Sequence, residues 1–303
     1  MQRIPLQEIT DRTAKRRDAW WTVLLVDPLA IRLVRLVYPY RWITPNLLSS
    51  FAFVLGLGSA ACFLMQDRWW LVAGALLFHL AFVIDCMDGK IARLNGTGTI
   101  FGVWFDFIFD RVRVVICAIA LFGGQYSRTG DVAWIWLAAA VVGIDFFRYL
   151  NGSQVGKIKS SLNAQLAEAR GDRPDLPSAD EEESDPDDAK QEAPGPIEGE
   201  GGTYLRIRNR LLRNRIRIHL FSGIEYEMTV FIVGPLIGFV FLTSIVSGVL
   251  LLAFEALLVL RLYQLARRFP KQLAKAQAEG EAARAEAAGG NGDVTTPPWP
   301  TRV

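Results

Sequence analysis

Long runs of apolar residues alternate with short polar connections along most of the chain. Six of these runs are long enough to cross a bilayer as helices, because about 20 apolar residues span a hydrocarbon core roughly 30 Å thick. They cover residues 44–65, 69–92, 99–123, 131–150, 223–244 and 247–267. The pattern predicts an all-α integral membrane protein with six transmembrane helices.

Residues 27–42, ahead of the first span, alternate apolar and basic positions at helical spacing. This pattern predicts an amphipathic helix lying on the inner leaflet, within an N-terminal region that covers residues 1–43. A plain basic linker is the alternative interpretation.

The spans form two groups, within residues 44–150 and 223–267, separated by a polar insert at 151–222. Within the insert, residues 171–202 are acidic and rich in Pro and Gly, a composition typical of disorder. Residues 204–219 are strongly basic and predict a helix on the anionic membrane surface, although a solvated basic face explains them equally well. The tail at 268–303, rich in Ala, Glu and Gly, is predicted to be disordered.

The positions of the charged residues along the chain indicate its orientation in the membrane, although the net charge is only +2. Lys and Arg flank the apolar runs and concentrate in the N-terminal region, in the long insert and after the last span. The positive-inside rule therefore predicts that both termini and all long connections face the cytoplasm. Membrane lipids are expected partners of these bases, and nucleic acid is not. The three cysteines have neither a disulfide pattern nor zinc-site spacing.

Charged residues inside the second and third spans need an explanation, because burying charge in lipid is costly. Eight positions stand out, and those on each span share one helix face. The second span carries Asp85, Asp88, Gly89, Ala92 and Arg93, and the third carries Gly102, Asp106 and Asp110. The short connection LNGTG makes the two spans antiparallel neighbours. Both carboxylate faces are therefore expected to line one cavity in the cytoplasmic half of the bilayer.

Four neighbouring aspartates repel each other in a low dielectric, and bound divalent cations relieve that repulsion. Carboxylate oxygens suit Mg²⁺, Mn²⁺ or Ca²⁺, and four of them can hold two ions about 4 Å apart. Arg93 can make a bidentate contact to phosphate. One alternative is a structural cluster in which Arg93, Arg111 and Arg113 pair with the aspartates. The other is a cation path, which would need acidic residues spread through the membrane depth.

The spacing D-x2-D-G-x2-A-R-x8-G-x3-D-x3-D is complete from Asp85 to Asp110, and by it the chain resembles the CDP-alcohol phosphotransferase (CDP-alcohol phosphatidyltransferase) family. The resemblance extends to the six-span layout and to the TPN triplet at 44–46. It implies a transferase of substituted phosphate groups in phospholipid biosynthesis. Such an enzyme moves a phosphate-linked group from a CDP-activated donor to an alcohol, releases CMP and uses Mg²⁺ or Mn²⁺, with two ions expected.

The resemblance also implies a role for each motif residue. The implied metal ligands are Asp85, Asp88, Asp106 and Asp110, and Asp110 is also the implied general base for the acceptor hydroxyl. The implied nucleotide contacts are Gly89, Arg93, Thr99, Asn46 and Ser49. For Asn46 and Ser49 the alternative is a plain helix start capped by Thr44. Ala92 and Gly102 are expected to serve helix packing.

The two substrates are less determined than the chemistry. We expect transfer of a phosphatidyl group from CDP-diacylglycerol to a polar alcohol. The alternative is transfer of a head group from another CDP-alcohol to diacylglycerol or another lipid alcohol. Arg148 and Arg217 are candidate contacts to a phosphorylated acceptor, but interfacial anchoring explains both, and Arg148 can also pair with Asp145. Glu225 and Glu227 fit either a polyol or cationic acceptor, or favourable placement at a helix N-terminus.

Two functions of other classes stay open at this point. One is a cation transporter, and the other is a catalytically silent membrane scaffold, which an altered motif aspartate would support. Small residues in GLGSAAC (56–62) allow close helix packing and a homodimer.

Overall fold

The computed structural model of the chain describes residues 4–15, 17–171, 209–211, 213–217 and 221–289. The helices are α1 (Leu6–Thr13), α2 (Asp27–Val37), α3 (Pro45–Met65), α4 (Arg68–Asn95), α5 (Ile100–Thr129), α6 (Ala133–Arg170), α7 (Gly223–Met228), α8 (Gly234–Ile237) and α9 (Val240–Gly289). Short π-helical segments at Thr22–Val26 and Thr229–Val233 precede α2 and α8. No sheet occurs among the described residues, so the all-α prediction is confirmed.

Four helices, α3, α4, α6 and α9, are long and apolar enough to cross a membrane. They coincide with the first, second, fourth and sixth predicted spans, and the chain is an integral membrane protein. Helix α5 has 30 residues, which is about 45 Å of helix and long enough to span. Its composition is more polar because it carries Asp106, Asp110, Arg111 and Arg113. A membrane-spanning role for α5 therefore stays a prediction.

The predicted boundary between the fifth and sixth spans is wrong. The helical stretch that starts at Gly223 ends at Ile237, where Gly238 adopts a left-handed conformation with φ of +82°. Only a residue without a Cβ takes that conformation readily, so the chain turns at Gly238. Residues 223–237 form about 22 Å of helix, which is short of the roughly 30 Å of a hydrocarbon core.

The polar pair Thr243 and Ser244, at the end of the predicted fifth span, lies inside α9. The Thr243 hydroxyl donates to the carbonyl of Phe239 at 3.0 Å, and the Ser244 hydroxyl donates to that of Val240 at 2.7 Å. Hydroxyl groups that bond back to the preceding turn are compatible with a continuous helix. The sequence signal for a break was therefore the glycine, and not the hydroxyl pair.

Two helices extend well beyond their predicted spans. Helix α6 continues from residue 150 to Arg170, into the predicted insert, and α9 continues to Gly289. The prediction of disorder is therefore wrong for residues 268–289. Ala, Glu, Gln, Lys and Arg are strong helix formers, and a composition low in large apolar residues is common to solvated helices and to disorder.

Most of the predicted insert lies outside the described residues. The structure describes Gly171 of the acidic segment 171–202, and residues 209–211 and 213–217 of the basic stretch 204–219. The predicted disorder of the first and the predicted surface helix of the second stay predictions.

Two compact units divide the chain: residues 1–149 with 193–255, and residues 150–192 with 256–303. In the first unit, α3 packs against both α4 and α5. A Cβ at Gly74 of α4 would lie 2.6 Å from the ring of Phe63, so a glycine is needed for α3 to approach this closely. In the second unit, Arg170 and Glu279 form an exposed ion pair at 3.4 Å.

The N-terminal region packs against the end of α4 that carries the motif. The sequence predicts that this end faces the cytoplasm. Helix α2, part of the helix predicted over 27–42, packs against α4. Asp27 Oδ1 lies 2.8 Å from Lys90 Nζ, and Asp27 Oδ2 lies 3.4 Å from Arg215 Nη2. The side chains of Asp27 and Lys90 are each only 6% exposed. Lys90 directly follows Gly89 of the motif, so this buried ion pair ties α2 to the motif-bearing turn of α4.

Replacing Asp27 by asparagine is expected to lower the free energy of unfolding by about 3 to 5 kcal/mol, because Lys90 would keep a buried charge without its partner. The thermal unfolding midpoint of the purified protein in detergent measures this effect. Glu8→Gln is the matched control, since Glu8 pairs with Arg12 at 3.4 Å with both side chains about half exposed. Such exposed pairs contribute at most about 1 kcal/mol. Equal midpoints for the two variants would contradict the prediction.

Candidate active site

The two halves of the motif meet because the chain reverses within four residues. Helix α4 ends at Asn95, and Gly96, with φ of +63°, donates its N–H to the carbonyl of Ala92. Thr99 then caps α5 by accepting a hydrogen bond from the N–H of Gly102 at 3.0 Å. Ala92 thus terminates α4 through its backbone carbonyl. The reversal confirms the short turn that the sequence LNGTG indicates.

Three motif carboxylates gather at the junction of α4 and α5. One oxygen of each of Asp85, Asp88 and Asp106 lies within 4.8 Å of the other two. Asp88 is the most buried, and its Oδ2 accepts a hydrogen bond from the Ser49 hydroxyl. Oxygens on opposite sides of a hard divalent cation are roughly 4 to 5 Å apart, so the three carboxylates fit such a cation in both ligand type and spacing.

The charge balance of this three-carboxylate cluster also favours a cation. Arg113 approaches it with Nη1 at 3.4 Å from Asp85 Oδ1. Arg93, four residues after Gly89, forms no ion pair within the described part of the chain, and its Nε is buried without a hydrogen-bond partner. Asp85, Asp88 and Asp106 bring three carboxylates into this small space, and a divalent metal ion would offset their mutual repulsion.

Asp110 stands in a different environment from the other motif aspartates. One of its oxygens accepts from Arg113, and the other accepts from Arg111. Among the described residues, the cluster that can hold a metal does not include Asp110. The alternative of a structural cluster paired with arginines therefore describes Asp110 and, in part, Asp85. It does not describe Asp88, whose carboxylate instead accepts from Ser49.

Two of the predicted nucleotide contacts, Asn46 and Ser49, lie at the start of α3 and reach the motif. Thr44 caps α3 by accepting from the N–H of Leu47 at 3.3 Å, as the alternative interpretation of this segment expects. The residues that follow nevertheless reach the motif. A Cβ at Gly102 would lie 3.3 Å from Asn46 Oδ1, so Asn46 faces the first turn of α5. Ser49 bonds to Asp88. The start of α3 is therefore both a capped helix end and one side of the site.

The two motif glycines differ in what surrounds them. A Cβ at Gly102 would also lie 3.0 Å from Thr99 Oγ1, which is a tight approach. A Cβ at Gly89 would meet only Arg93 Nη2, at 3.6 Å. Gly102 therefore relieves crowding within the chain, whereas Gly89 leaves open space beside Arg93, into which a ligand can come close to the backbone.

The candidate acceptor residues have partners in the structure. Arg148 Nε lies 3.2 Å from Glu255 Oε1 on α9. The side chain of Arg217 is buried, and its backbone N–H donates to the carbonyl of Asp18 at 3.0 Å. Glu225 completes a capping box with Ser222 at the start of α7, which is the helix N-terminal placement that one interpretation predicts.

Sequence reasoning missed a second cluster of buried charges next to the carboxylates. Arg111 contacts Asp145 Oδ2 of α6 at 2.6 Å and Glu227 Oε1 of α7 at 3.0 Å, in addition to Asp110. The spacing in the sequence allows Asp145 to pair with Arg148, three residues later, but in the structure Asp145 contacts Arg111. The available signal was the presence of ionisable residues inside apolar runs, which seldom occur without partners.

The chain is similar in sequence to known proteins over the region that forms this site. A sequence model of the family described as CDP-alcohol phosphatidyltransferase matches residues 42–165. A CDP-diacylglycerol--glycerol-3-phosphate 3-phosphatidyltransferase of Cereibacter sphaeroides is 36% identical over 103 residues, which cover 34% of this chain and 45% of the relative. The protein of the same name from Escherichia coli K12 is 32% identical over 98 residues, which cover 32% of this chain and 51% of the relative.

A chloroplastic and mitochondrial relative of that name from Arabidopsis thaliana is 29% identical over 106 residues, covering 34% of this chain and 35% of the relative. The chain thus spans about a third to a half of the length of the curated relatives that it matches. The matched family region contains α3, α4, α5 and the three-carboxylate cluster. Residues 42–165 therefore match the CDP-alcohol phosphatidyltransferase family.

Proposed function

We propose that the chain is a phosphatidyltransferase of phospholipid biosynthesis that transfers a phosphatidyl group from CDP-diacylglycerol to a polar alcohol and releases CMP. The gathering of Asp85, Asp88 and Asp106 at the junction of two motif helices carries the proposal. A site between apolar helices suits a reaction in which one substrate is a lipid and the other is water-soluble. The names of the matched relatives favour CDP-diacylglycerol as donor over a CDP-linked head group.

Asp85, Asp88 and Asp106 would hold a divalent metal ion, with Mg²⁺ or Mn²⁺ as the expected ion and two ions as the expected number. Bound there, the metal supplies Lewis-acid stabilisation of negative charge on the diphosphate and on the departing CMP. The Ser49 hydroxyl donates to Asp88 and so holds one of these carboxylates in place. The ligands lie on regular helix in α4 and α5, on either side of the connection between them, rather than on a loop.

Asp110 is the proposed general base. It takes the proton of the acceptor hydroxyl while the hydroxyl oxygen bonds to the phosphorus of the phosphatidyl group and the bond from that phosphorus to CMP breaks. Its two oxygens accept from Arg111 and Arg113, yet a carboxylate has about four acceptor positions, so one remains for the substrate proton. The resemblance also implies Asp110 as a metal ligand, and the Mg²⁺ requirement of an Asp110 variant decides whether it has that role.

Arg93 is the proposed contact to the CDP phosphates, since its guanidinium has no ion-pair partner in the described structure and lies beside the open space at Gly89. Asn46, Ser49 and Thr99 border the same region and would contact the nucleotide. Arg148 and Arg217 stay candidates for the acceptor. Glycerol 3-phosphate is the first acceptor to test, because the matched relatives are named for it.

The proposal extends to topology. We infer six membrane spans, with the active site and both termini in the cytoplasm, from the distribution of Lys and Arg. Access of single-cysteine variants to a membrane-impermeant thiol reagent in intact cells tests this orientation. Labelling of a cysteine at residue 97, next to the motif, from the outside would overturn it.

The mass of the lipid product tests the reaction sense. Purified protein is incubated with CDP-diacylglycerol and Mg²⁺ against a panel of alcohols that includes glycerol 3-phosphate, and separately with CDP-choline and diacylglycerol. The proposal expects a phosphatidyl lipid of the acceptor in the first set and no product in the second. A product in the second set alone would reverse the assigned donor.

Gly56→Ala is expected to reduce turnover by roughly tenfold or more. A Cβ at Gly56 would lie 2.5 Å from Cγ and Cδ of Arg113, so Arg113, which bonds to Asp85 and Asp110, is expected to be displaced. Gly58→Ala on the same helix is the matched control, because its Cβ would meet only Leu77 Cδ1 at 3.8 Å. CMP release by the two purified variants measures the effect. Wild-type turnover in Gly56→Ala would show that the position of Arg113 does not matter.

A further inference from the structure

Arg111 is the centre of a buried charge cluster that joins three helices. Its side chain is 5% exposed and lies between Asp110 of α5, Asp145 of α6 and Glu227 of α7, with contacts of 2.6 Å to Asp145 and 3.0 Å to Glu227. The guanidinium carbon sits 3.8 Å from the centre of the Tyr149 ring. The Tyr149 hydroxyl donates to Glu227 Oε1 at 3.4 Å. One cation thus holds carboxylates from three separate elements.

The contact between Arg111 and Asp110 is not one that a helix provides by itself. Neighbouring residues on a helix point about 100° apart, whereas residues three or four apart face each other. Arg113 therefore reaches Asp110 as a normal helix neighbour at i+3. Arg111 reaches the same carboxylate only because its guanidinium is held in place from the far side, by Asp145 and Glu227.

This difference gives the two arginines different functions. Both arginines share α5 with Asp110. Arg113 bonds onward to Asp85 of α4, whereas Arg111 bonds onward to Asp145 of α6 and Glu227 of α7. Through Arg111, the Asp110 carboxylate is therefore oriented relative to α6 and α7. Helix α6 also carries Arg148, one of the candidate acceptor contacts. The orientation of Asp110 is therefore coupled to the helix on which the acceptor is expected to bind.

We propose that Arg111, Asp145, Glu227 and Tyr149 form a positioning unit that orients the Asp110 carboxylate toward the acceptor hydroxyl. This inference rests on the proposed function, in which Asp110 takes the proton of the acceptor. Arg111 contacts Asp110 directly and acts on Asp85 of the three-carboxylate cluster through the longer-range field of its charge. Weakening the unit should slow the chemical step and leave donor binding and metal dependence unchanged.

Asp145→Asn and Glu227→Gln test the proposal, because each removes one anchor charge with little change of shape. Both are expected to reduce kcat for CMP release by roughly ten- to a hundredfold, since a misplacement of about 1 Å at a reacting group costs on that order. The KM for CDP-diacylglycerol and the Mg²⁺ concentration for half-maximal rate are expected to stay within about twofold. Tyr149→Phe removes only the hydrogen bond to Glu227 and should give a smaller loss of kcat in the same direction.

Glu225→Gln is the matched control for Glu227→Gln. Glu225 lies on the same short helix and is equally buried, but its partner is Ser222, and glutamine preserves that capping box. The control is expected to retain wild-type kcat. Thermal midpoints and binding of CDP-diacylglycerol, measured for every variant, separate loss of fold from loss of positioning.

The wild-type rate is measured first, so an inactive wild type counts against the proposed function and not against this inference. With an active wild type, the positioning unit is supported when kcat falls while donor binding is retained. It is overturned when Asp145→Asn, Glu227→Gln and Tyr149→Phe bind the donor and keep the wild-type kcat. It is equally overturned when their KM for CDP-diacylglycerol rises as much as kcat falls, because the cluster would then shape the donor site.

Discussion

Asp106→Asn is expected to reduce CMP release by about a thousandfold or more. Asp106 is the one member of the three-carboxylate cluster on α5, and the other two lie on α4. Replacing it leaves two carboxylates on a single helix, which hold a hard cation poorly because the ion loses an anionic ligand from the opposite side. Initial rates across a range of Mg²⁺ concentrations measure the effect, and half-maximal activity should require at least about tenfold more Mg²⁺.

Stability separates this effect from misfolding. Three neighbouring carboxylates repel each other without metal, so Asp106→Asn is expected to unfold in chelator at the same temperature as wild type or at a higher one. Wild type should gain thermal stability when Mg²⁺ is added, and the variant should gain less. Asp67→Asn is the control, because Asp67 caps the opposite end of α4 and asparagine caps equally well. An unchanged Mg²⁺ requirement in Asp106→Asn would contradict the assigned metal site.

Asp110→Asn is expected to lower kcat by about a hundred- to ten-thousandfold, because an amide cannot take the proton of the acceptor hydroxyl. The KM for CDP-diacylglycerol and the Mg²⁺ requirement are expected to stay close to wild type, since the carboxylate of Asp110 contacts arginines and lies outside the three-carboxylate cluster. Steady-state kinetics with both substrates varied, at several Mg²⁺ concentrations, measure all three quantities.

Comparison with Asp106→Asn distinguishes a general base from a metal ligand at Asp110. If Asp110 is principally a metal ligand, its asparagine variant will need more Mg²⁺, as Asp106→Asn does. Asp131→Asn serves as the control, because Asp131 accepts from the N–H of Ala133 at 2.9 Å, ahead of α6. A rise in the Mg²⁺ requirement of Asp110→Asn equal to that of Asp106→Asn would contradict its assignment as a base outside the metal cluster.

The site was predictable from the sequence where it depends on local geometry. Spacings of three, four, seven and eight residues place the motif side chains on one face of each helix, and a short turn brings the faces together. The gathering of Asp85, Asp88 and Asp106 follows from these facts alone. The cap at Thr44 is equally local. Ser49, about one turn into α3, needed the family resemblance, because nothing in its own segment indicates a contact with Asp88.

The partners of Asp110 and Arg111 were not predictable in the same way. Helix periodicity pairs residues within one segment, so it suggested Asp145 with Arg148, whereas the structure joins Asp145 to Arg111 across two helices. Buried charges choose partners by three-dimensional proximity, and the packing of α5, α6 and α7 is not encoded in any one of them. The same limit applies to Asp27 and Lys90, whose pairing depends on where α2 packs.

Errors in the predicted fold have local causes too. Apolar composition extended the fifth span past Gly238, although the glycine marks the turn. Low apolar content suggested disorder after residue 268, although the segment consists largely of helix formers and α9 continues through it. In both places the prediction followed hydropathy, whereas the backbone preferences of the glycine and of the helix formers determined the structure.

The most direct measurement is CMP release from CDP-diacylglycerol by the purified protein, with glycerol 3-phosphate and Mg²⁺ present, before and after addition of a chelator. The account predicts release that requires both the alcohol and Mg²⁺, that stops on chelation and that resumes when Mg²⁺ is restored. Release that continues at the same rate in chelator would contradict a metal-dependent transfer at the aspartates of α4 and α5. The absence of release with every alcohol would contradict the proposed transfer itself.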